Sequence, residues 1–599
     1  MAWYDEAVFY HIYPLGLAGA PKQNDYGEPV HRLNTLLPWV DHIKEIGGSA
    51  LYIGPLFESV GHGYETTDYK KLDSRLGTNE DLTAFVAYCH EQGIKVIFDG
   101  VFNHTGRDFF AFKDIQANRE NSHYKDWYCN VNFWGNNEYN DGFSYDNWGG
   151  YNLLVKLNQK NPAVVDYICD VIRFWVSEFD VDGIRLDAAD VLDFDFMKAL
   201  RRTANEVKPD FWLMGEVIHG DYSRWVNGET LHSVTNYTLH KALYSGHNDH
   251  NYFEIAHTVR RLQNIGTLKL YNFVDNHDVE RIYTKLTNKA HFAPVHVLLY
   301  TLPGVPSIYY GSEFGIEGRK EYGSDDSLRP ALNIEDYKDS VKTNPCTALI
   351  AALGKVRQAV PALSYGSYDE LMLTNRQFAY ARDLDGTRVI VSVNNDDAPA
   401  GMHLAAGNCT AYIGALSGEK VSVQDGHINI TQPANSGEIW VPDGTDLDVK
   451  PVKVVTKTES EAKTNTEDKA ASETATDAKG NKEAEPKIES KESKDIVTAT
   501  ESADAKKNTT NTEKNISAAN EVKDSAKDAS AQAAADTPVD PETITVDWSK
   551  SPESMTVPEL QAAILAKLAG NGPVDAQMKK TVTDNIWHDS LVNWLKSFR

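Results

Sequence analysis

The chain is 599 residues long, which exceeds what one hydrophobic core usually organises and therefore predicts several domains. Its net charge of −27 at pH 7 argues against nucleic acid or an anionic membrane surface as a partner. No run of about 18 apolar residues is present, so no membrane-spanning helix is predicted.

The N-terminal sequence MAWYDEAVFYHIYP leads directly into a strand pattern, without the basic, apolar and small-residue regions of a signal peptide. Five cysteines are scattered along the chain, and none forms a CxxC pair. An odd number of dispersed cysteines is typical of reduced thiols. The sequence therefore predicts a cytoplasmic protein, and a secreted mature form is the alternative.

Eight runs, most of them rich in Val, Ile, Tyr and Phe, alternate with amphipathic helices from residue 7 to about 313. They span 8–16, 50–57, 95–102, 182–187, 211–217, 233–239, 268–274 and 304–311. Such apolar runs are typical of parallel strands that are buried on both faces. Eight strands alternating with helices favour a (β/α)8 barrel, an α/β fold, over a doubly wound sheet.

Two helices between these strands have recognisable ends. Thr78 and Asp81 form a capping pattern before an apolar stripe, and Gly93 predicts where that helix stops. Asn161 and Pro162 predict the start of a second helix with a wide apolar face.

After His104 about fifty residues pass without a predicted helix, and they are crowded with Trp, Tyr, Asn and Gly. A long insertion in a compact domain is usually functional, so residues 105–153 predict an excursion domain over the barrel mouth. Its aromatic residues suit either sugar stacking or the small domain's own core. These residues are Trp127, Trp134, Tyr139, Tyr145, Trp148 and Tyr151.

A last barrel helix is predicted at about 346–360, after which apolar residues alternate with a period of two on either side of Asp385-Gly386. This pattern predicts a β-hairpin within an antiparallel sandwich. The predicted domains are the barrel (1–104 and 154–365), the excursion (105–153) and the sandwich (366–442).

From 443 to 541 the composition is dominated by charged and small polar residues, which predicts a disordered linker. Residues 542–599 predict a small helical module, with a capping box at Thr556 and Glu559 and apolar residues that include Trp587 and Trp594. This module either docks a protein partner or is a tail without function.

Carboxylates end four of the strand-like runs: Asp99, Asp187, Glu216 and Asp278. Strand C-termini of a barrel converge on one face, so we expect these side chains to share a site. Taken singly, such an Asp is as often a helix N-cap or turn former, and an Arg185–Asp187 contact also suits a structural ion pair. A pair of carboxyl groups at one site is the machinery that cleaves glycosidic bonds.

The motifs DGVFNH, GIRLDAAD, GEV and FVDNHD, in this order, resemble the conserved regions of the α-amylase family of glycoside hydrolases. HGYETTDY and GVPSIYYGSE are also similar to that family. The resemblance covers about residues 5–442. LVKLN at 154–158 resembles the MPKLN sequence of the neopullulanase and cyclomaltodextrinase branch, although an N-terminal β-domain usual in that branch does not precede the barrel here.

The resemblance implies a retaining enzyme in which Asp187 is the nucleophile, Glu216 the general acid and base, and Asp278 a ligand of the distorted sugar. Arg185 is expected to hold Asp187 ionised. His104 and His277 are expected to hydrogen-bond the same sugar. Further implied roles are a stacking floor at Tyr64 and a supporting position at Asp99.

The implied substrates are α-1,4-linked maltooligosaccharides, cyclodextrins or starch-derived glucans. A transglycosylase of the same family and a non-catalytic binding or partner subunit are the alternatives. The resemblance implies no required cofactor. Asn103 matches a position that ligates Ca²⁺ in many family members, which leaves calcium as an option without a complete ligand set.

Overall fold

A computed structural model describes residues 2–266, 268–321, 324–447 and 449, and then 546, 548, 550–552, 555–570, 582 and 595. The first strands in chain order are β1 (Phe9–Ile12), β2 (Ala50–Ile53), β3 (Phe57–Ser59), β4 (Thr66–Leu72), β5 (Lys95–Gly100), β6 (His104–Thr105), β7 (Asn147–Trp148), β8 (Tyr151–Lys156), β9 (Gly183–Leu186), β10 (Trp212–Gly215), β11 (Ser233–Val234), β12 (Tyr271–Phe273) and β13 (Val305–Tyr309). The later strands are β14 (Ser367–Leu373), β15 (Gln377–Leu384), β16 (Thr387–Asn394), β17 (Ala400–Ala405), β18 (Ala411–Gly414), β19 (Lys420–Ser422), β20 (His427–Gln432) and β21 (Ser436–Pro442).

The α-helices of the same residues connect and cover these strands. They are α1 (Pro14–Leu17), α2 (Leu37–Glu45), α3 (Asn79–Glu91), α4 (Phe110–Asn118), α5 (Pro162–Phe179), α6 (Phe194–Val207), α7 (Tyr237–Asn248), α8 (Tyr252–Asn264), α9 (Ile282–Lys285), α10 (Phe292–Thr301), α11 (Ser340–Thr343), α12 (Pro345–Ala359), α13 (Ala362–Tyr365) and α14 (Val557–Gly570). No helix of the described residues combines the length and apolar composition needed to cross a bilayer.

Eight parallel strands form a nearly closed barrel in the order β11-β10-β9-β5-β2-β1-β13-β12. A parallel bridge between Thr235 and Tyr271 links its two ends. Each strand lies within one of the eight runs identified in the sequence, which confirms the (β/α)8 prediction. The strands are buried on both faces, because helices cover the outside and alternate side chains such as Phe9, Tyr52 and Trp212 fill the inside.

The helix ends follow the sequence rules used to predict them. Thr78 caps α3 by accepting from the Asp81 N–H, and Asp81 Oδ2 accepts in return from the Thr78 N–H at 2.8 Å. Asn161 caps α5 by accepting from the Ala163 N–H at 2.9 Å, with Pro162 in the first turn. Both helices pack their apolar stripes against the barrel, and α3 lies against β5.

The excursion after β5 contains more regular structure than the sequence suggested. The segment folds as α4 and a three-stranded antiparallel sheet in the order β6-β8-β7. The prediction that this segment contains no helix was wrong. Phe112 and Ile115, three residues apart in α4, form the buried apolar stripe of that helix. The many Asn, Gly and aromatic residues on either side made this short helical spacing of apolar residues hard to recognise in the sequence.

Antiparallel strands follow the barrel, as predicted for a sandwich. A six-stranded sheet, β14-β15-β16-β21-β18-β19, lies with the two-stranded sheet β17-β20 around a core that includes Ile390, Leu404 and Trp440. β15 and β16 pair in a hairpin through Asp385 and Gly386, whose φ angles of 49° and 82° are those of a type I′ turn.

Two compact units, Met1–Ala519 and Asn520–Arg599, divide the chain. In the second unit, Thr556 and Glu559 make the predicted capping box, with the Thr556 N–H donating to Glu559 Oε2 at 2.7 Å. Leu560, Ile564 and Leu595 belong to its small apolar core. Trp587 and Trp594 lie outside the described residues, as does most of the predicted linker.

Candidate active site

Four carboxylates reach the C-terminal face of the barrel from neighbouring strands. Asp99 lies in β5, Asp187 follows β9, Glu216 follows β10 and Asp278 lies five residues after β12. Main-chain hydrogen bonds hold the two middle strand ends in register: the Asp187 N–H donates to the Gly100 carbonyl at 3.1 Å and the Glu216 N–H to the Leu186 carbonyl at 2.9 Å. The barrel therefore brings together residues that are nearly two hundred positions apart.

The Arg185 guanidinium contacts three of these carboxylates. Its Nη1 donates to Asp99 Oδ1 at 2.8 Å and to Asp187 Oδ1 at 3.0 Å, and its Nη2 lies 2.8 Å from Glu216 Oε2. Arg185 and Asp187 share an inward side-chain register because they are two residues apart along one strand direction. The sequence predicted the contact with Asp187, and the structure adds Asp99 and Glu216.

Ala188 has φ 46° and ψ 42°, a left-handed conformation that non-glycine residues rarely adopt. In this conformation its N–H donates to Glu216 Oε2 at 3.1 Å. Tyr237 O–H reaches Glu216 Oε1 at 3.5 Å, and Asn276 Nδ2 donates to the Tyr237 hydroxyl at 3.2 Å. Both oxygens of Glu216 therefore have a neighbouring donor.

Asp99 is held between a cation and two phenols. Its Oδ2 accepts from Tyr52 O–H at 2.9 Å and from Tyr64 O–H at 3.1 Å, while Oδ1 faces Arg185. With only 2% of its surface exposed, Asp99 is shielded from solvent by the groups that it orients. It therefore fixes Arg185 and Tyr64 relative to each other.

Asp278 lies on the other side of the site among cationic and aromatic groups. Its Oδ2 is 3.1 Å from His277 Nε2, and Arg329 Nη2 donates to its Oδ1 at 2.9 Å. The Tyr64 hydroxyl lies 2.5 Å from His277 Nε2, and the two rings are stacked with 5.8 Å between centroids. Lys320 Nζ donates to the Asp278 carbonyl at 3.1 Å.

His104 connects to the site through Tyr64. Its Nε2 donates to the Tyr64 carbonyl at 3.1 Å, and its Nδ1 accepts from Asn103 Nδ2 at 3.1 Å. These contacts fix the ring with Nε2 protonated and Nδ1 unprotonated. Burial lowers the pKa of His104 to about 3 and that of His277 also to about 3, so both rings are neutral at pH 7.

The charges of Asp187 and Glu216 are coupled. Burial raises the pKa of Asp187 well above its ordinary value, with the charge of Glu216 adding to the effect and Arg185 opposing it. Burial likewise raises the pKa of Glu216. The sequence led us to expect that Arg185 keeps Asp187 ionised. The structure differs, because one guanidinium is shared among three buried carboxylates, so this pair retains a proton more readily than isolated carboxyls do.

Asp278 has the opposite electrostatic environment. Burial opposes its ionisation, but His277, Arg329 and Arg185 together lower its pKa below the ordinary value. Asp278 therefore ionises more readily than Asp187 or Glu216. The site thus contains carboxyl groups whose pKa values are displaced in opposite directions, which is typical of sites for acid–base chemistry.

Several neighbours of the site were not identified from the sequence: Tyr13, Tyr52, Tyr237, Lys320 and Arg329. Tyr52 could have been predicted from the alternation of side chains along β2. It lies two residues after Ala50, so both side chains point into the barrel, as Arg185 does on β9. Arg329 lies in an irregular segment after β13, and its guanidinium stands 4.7 Å from the Tyr13 ring. No local pattern predicts that contact.

The aromatic residues of the excursion have different environments. Tyr145 is buried and accepts from Arg107 at 2.6 Å, while Trp127 packs against Tyr124 and Tyr167, so these residues belong to the excursion's own structure. Trp148 and Tyr151 are half-buried at the β7–β8 turn, and Tyr139 stacks on Arg107 at 3.8 Å. Trp134, in contrast, is 98% exposed.

The described residues contain no group of three or more His, Cys, Asp or Glu side chains arranged to hold a metal ion. Asn103 Oδ1 is buried without a hydrogen-bond partner, so this oxygen suits one position in the coordination sphere of a hard cation. All five cysteines are free thiols.

Comparison with known proteins gives consistent matches. A family model described as alpha amylase, catalytic domain, matches residues 32–357. A cyclomaltodextrinase from a Bacillus species is 31% identical over 426 residues, 66% of this chain and 74% of that protein. Neopullulanase 2 of Thermoactinomyces vulgaris is 29% identical over 473 residues, 73% of this chain and 78% of that protein. A solved cyclomaltodextrinase structure aligns with a TM-score of 0.66 at 26% identity, covering 73% of this chain and 78% of that one.

Proposed function

The chain belongs to the α-amylase family of glycoside hydrolases, and from that premise we propose that it hydrolyses α-glucosidic bonds with retention of configuration. The proposed substrates are α-1,4-linked maltooligosaccharides, cyclodextrins or starch-derived glucans. The names of its relatives, cyclomaltodextrinase and neopullulanase 2, support this substrate class.

The single observation that carries the proposal is the shared contact of Arg185 with Asp187 and Glu216, at 3.0 and 2.8 Å. Because Asp187 contacts Nη1 and Glu216 contacts Nη2 of one guanidinium, the two carboxylates face the same small space. Retaining glycosidases need their two carboxyl groups about 5–5.5 Å apart, close enough for direct attack on the anomeric carbon. An arrangement around one guanidinium supports that separation.

In the proposed reaction Asp187 attacks the anomeric carbon while Glu216 donates its proton to the departing glycosidic oxygen. The covalent glycosyl–Asp187 ester is then cleaved by water, which loses its proton to Glu216. Turnover requires a proton on Glu216 while Asp187 is ionised. Arg185 contacts both carboxylates, at 3.0 Å to Asp187 Oδ1 and 2.8 Å to Glu216 Oε2, so it stabilises whichever of the two is ionised.

The remaining site residues bind the sugar in this proposal. Asp278 is ionised and accepts from sugar hydroxyls as positive charge develops on the ring. The Tyr64 ring, stacked against His277, supplies a flat apolar surface for the sugar. His277, which is neutral, hydrogen-bonds the same sugar, and His104 joins it by exchanging its Nε2 contact with the Tyr64 carbonyl for a sugar hydroxyl. Asp99 holds Arg185 and Tyr64 in place.

The family needs no cofactor in general, and none enters the proposed reaction. Asn103 Oδ1 supports one Ca²⁺ ligand position, and calcium would there act on the structure of the excursion rather than on the bond being cleaved. Cytoplasmic localisation stays a prediction, and the five free thiols support it. The domain limits given above and protein docking by residues 542–599 also stay predictions.

Replacing Glu216 by Gln tests the acid role. The Glu216→Gln variant should lose about 10²–10⁴-fold in kcat on maltotriose, because its leaving group needs protonation, and much less on an aryl maltoside with a good leaving group. Glu229→Gln is the matched control, since Glu229 is exposed on the segment between β10 and β11.

Both substrates are assayed with purified variants whose circular dichroism matches the parent. Equal losses on the two substrates would refute general acid catalysis by Glu216. Absence of turnover by the parent protein on maltooligosaccharides, β-cyclodextrin, pullulan and starch would refute the proposed function as a whole.

A further inference from the structure

We propose that Arg281 is a positioning residue, which sets the contact between Asp278 and Arg329 without touching the sugar. Arg281 is fully buried and follows Asp278 by three residues in the chain. One of its hydrogen bonds reaches Leu328, the residue before Arg329. The inference deepens the proposed function and rests on it, because Asp278 is there the carboxylate that binds the distorted sugar.

The Arg281 guanidinium joins two chain segments at the C-terminal face of the barrel. Its Nη1 donates to the Tyr310 carbonyl at 2.8 Å and to Ser312 Oγ at 2.9 Å, directly after β13. Its Nη2 donates to the Leu328 carbonyl at 3.0 Å. Because a planar guanidinium holds its donors at fixed angles, this side chain ties the end of β13 to the segment that carries Arg329.

The main chain around Arg281 is fixed as well. The Arg281 N–H donates to the Gly318 carbonyl at 3.0 Å. The next N–H, that of Ile282, donates to Asp275 Oδ2 at 2.7 Å. This contact closes the turn between Asp275 and Ile282, which carries Asp278. The side chain of Arg281 therefore extends from a turn whose two ends are held together.

Ser312 links the guanidinium to a buried carboxylate. Its hydroxyl accepts from Arg281 Nη1 and donates to Asp275 Oδ2 at 2.8 Å, which uses its one proton and one of its lone pairs. Asp275 is 2% exposed, so burial raises its pKa, and the charge of Arg281 opposes that effect. The cation is thus held by a chain of hydrogen bonds inside the protein, which makes it a rigid support.

Two tyrosine rings lie beside the same guanidinium. Its central carbon is 4.7 Å from the Tyr309 ring centre and 5.3 Å from that of Tyr310, within the range of cation–π contacts. The Tyr309 O–H also donates to the Leu328 carbonyl at 3.0 Å. The Leu328 carbonyl therefore accepts from two buried donors, and both of them belong to one packed cluster.

The place of Leu328 determines how Arg329 meets Asp278. Arg329 Nη2 donates to Asp278 Oδ1 at 2.9 Å, and its Nε donates to the His277 carbonyl at 3.0 Å. The same Nη2 also donates to Asp325 Oδ2 at 3.1 Å. A shift of this segment would change how Nη2 is shared between Asp278 and Asp325. By holding Leu328, Arg281 therefore sets the positive charge that faces Asp278.

Arg357 offers a matched case without a connection to Arg329. It is 2% exposed, and its guanidinium donates to the Tyr300 carbonyl at 2.6 Å and to the Gly304 carbonyl at 2.7 Å. Gly304 precedes β13, so these contacts lie at the opposite end of that strand from those of Arg281. Both arginines are buried donors to main-chain carbonyls, and only Arg281 reaches the segment that contacts Asp278.

The test introduces Arg281→Lys into the full-length parent protein and into the Arg329→Met variant. Lysine keeps the charge but lacks the planar set of donors that joins the two segments. We expect kcat/KM on maltotriose to fall at least about tenfold in the parent and less than about twofold in Arg329→Met, because the contact that Arg281 sets is already absent there. Arg357→Lys should change kcat/KM by the same factor in both proteins.

Ser312→Ala is the second variant, for the case that Arg281→Lys does not fold. It removes only the hydroxyl between Arg281 and Asp275, so its loss of kcat/KM should be smaller and should again depend on Arg329. Circular dichroism and thermal unfolding of every variant establish that folded proteins are compared.

Equal losses from Arg281→Lys in the parent and in Arg329→Met would overturn the proposal. A smaller folded fraction, or an effect independent of Arg329, costs the same factor in both proteins. An unchanged kcat/KM of Arg281→Lys in the parent would overturn it too. Absence of maltotriose turnover by the parent would refute the proposed function together with this role, whereas equal losses refute the role alone.

Discussion

Arg185 Nη1 and Nη2 together contact Asp99, Asp187 and Glu216 at 2.8–3.1 Å inside a buried site. A planar guanidinium with several fixed donors can serve three carboxylates at once, whereas an ammonium is a single compact charge. The coupled ionisation of Asp187 and Glu216 therefore depends on this one side chain.

Replacing Arg185 by Lys should raise the pKa values of Asp187 and Glu216 further, because burial would then be opposed by a less well placed charge. With a higher pKa, Asp187 stays protonated up to a higher pH, and a protonated carboxyl group cannot attack the sugar. The acidic limb of the kcat/KM profile on maltotriose should therefore move to higher pH, with a loss of about 10²-fold or more near neutrality.

Arg202→Lys, at an exposed position of α6, is the matched control for this substitution. A profile of Arg185→Lys with an unchanged acidic limb would contradict the role assigned to the guanidinium. Circular dichroism and thermal unfolding of both variants separate this effect from loss of folded protein.

The four carboxylates could be predicted from the sequence because each ends a strand-like run and belongs to a dense motif. The pKa displacement of Asp187 could not, since it depends on how many carboxylates share Arg185 and on the exclusion of water. Arg329 was missed for a related reason: its contact with Asp278 joins an irregular segment to a strand end 51 residues earlier. Local patterns carry no information about such contacts.

Buried histidines join the barrel helices to the β-sandwich. His247 Nδ1 donates to the Leu243 carbonyl at 2.6 Å, its ring lies 5.6 Å from that of His291, and His291 Nε2 donates to the Asn395 carbonyl at 3.2 Å. Burial lowers the pKa of His247 to about 3 and also lowers that of His291. These rings are therefore neutral in the folded protein at pH 7.

Acid should destabilise this junction. A histidine with a lowered folded pKa contributes its full stability above the unfolded value of about 6.5 and loses it as the pH falls. Between pH 6.5 and 5, His247 alone should cost about 2 kcal/mol. In His247→Gln the difference in unfolding free energy between pH 7 and pH 5, measured with urea, should shrink by about that amount.

His403→Gln provides the comparison, because His403 is exposed on β17 and takes no part in the contacts of His247 and His291. If the difference in unfolding free energy between pH 7 and pH 5 is the same in His247→Gln as in the parent, His247 does not contribute to the acid sensitivity. An overall loss of stability in His247→Gln at both pH values is expected and does not bear on the difference.

Secondary structure was most predictable where it carries end signals. The Thr78 cap, the Asn161-Pro162 start and the Asp385-Gly386 turn all predicted elements that the structure contains. α4 was missed because it has nine residues and no side-chain N-cap hydrogen bond, so only a short apolar stripe marks it. Packing against the excursion core, rather than capping, stabilises this helix.

At the scale of the whole molecule, the residues of the proposed catalytic site and the neighbours identified around them lie between positions 13 and 329. Leu447 and Val449 still pack against the main apolar core, so ordered contacts continue slightly past the predicted sandwich limit at 442. A chain ending at residue 450 should therefore keep its kcat and KM on maltotriose within about twofold of the full-length values. A tenfold fall in kcat would show that the later residues contribute to catalysis.

The barrel and sandwich were predictable as a sequence of elements because strand periodicity changes from buried runs to alternation after α12. The match to residues 32–357, together with the cyclomaltodextrinase and neopullulanase relatives, confirms the predicted family and branch. The limits of the separate domains stay predictions. Asn395 of the sandwich contacts His250 and His291 of the barrel, so side-chain contacts continue across the predicted limit between these two domains.

The most direct test of double displacement is the anomeric configuration of the first product, followed by proton NMR during hydrolysis of maltoheptaose. Two successive inversions, first by Asp187 and then by water, predict that the α-anomer accumulates before mutarotation produces the β form. Initial release of the β-anomer would mean a single inversion, and it would contradict the assignment of Asp187 as the nucleophile.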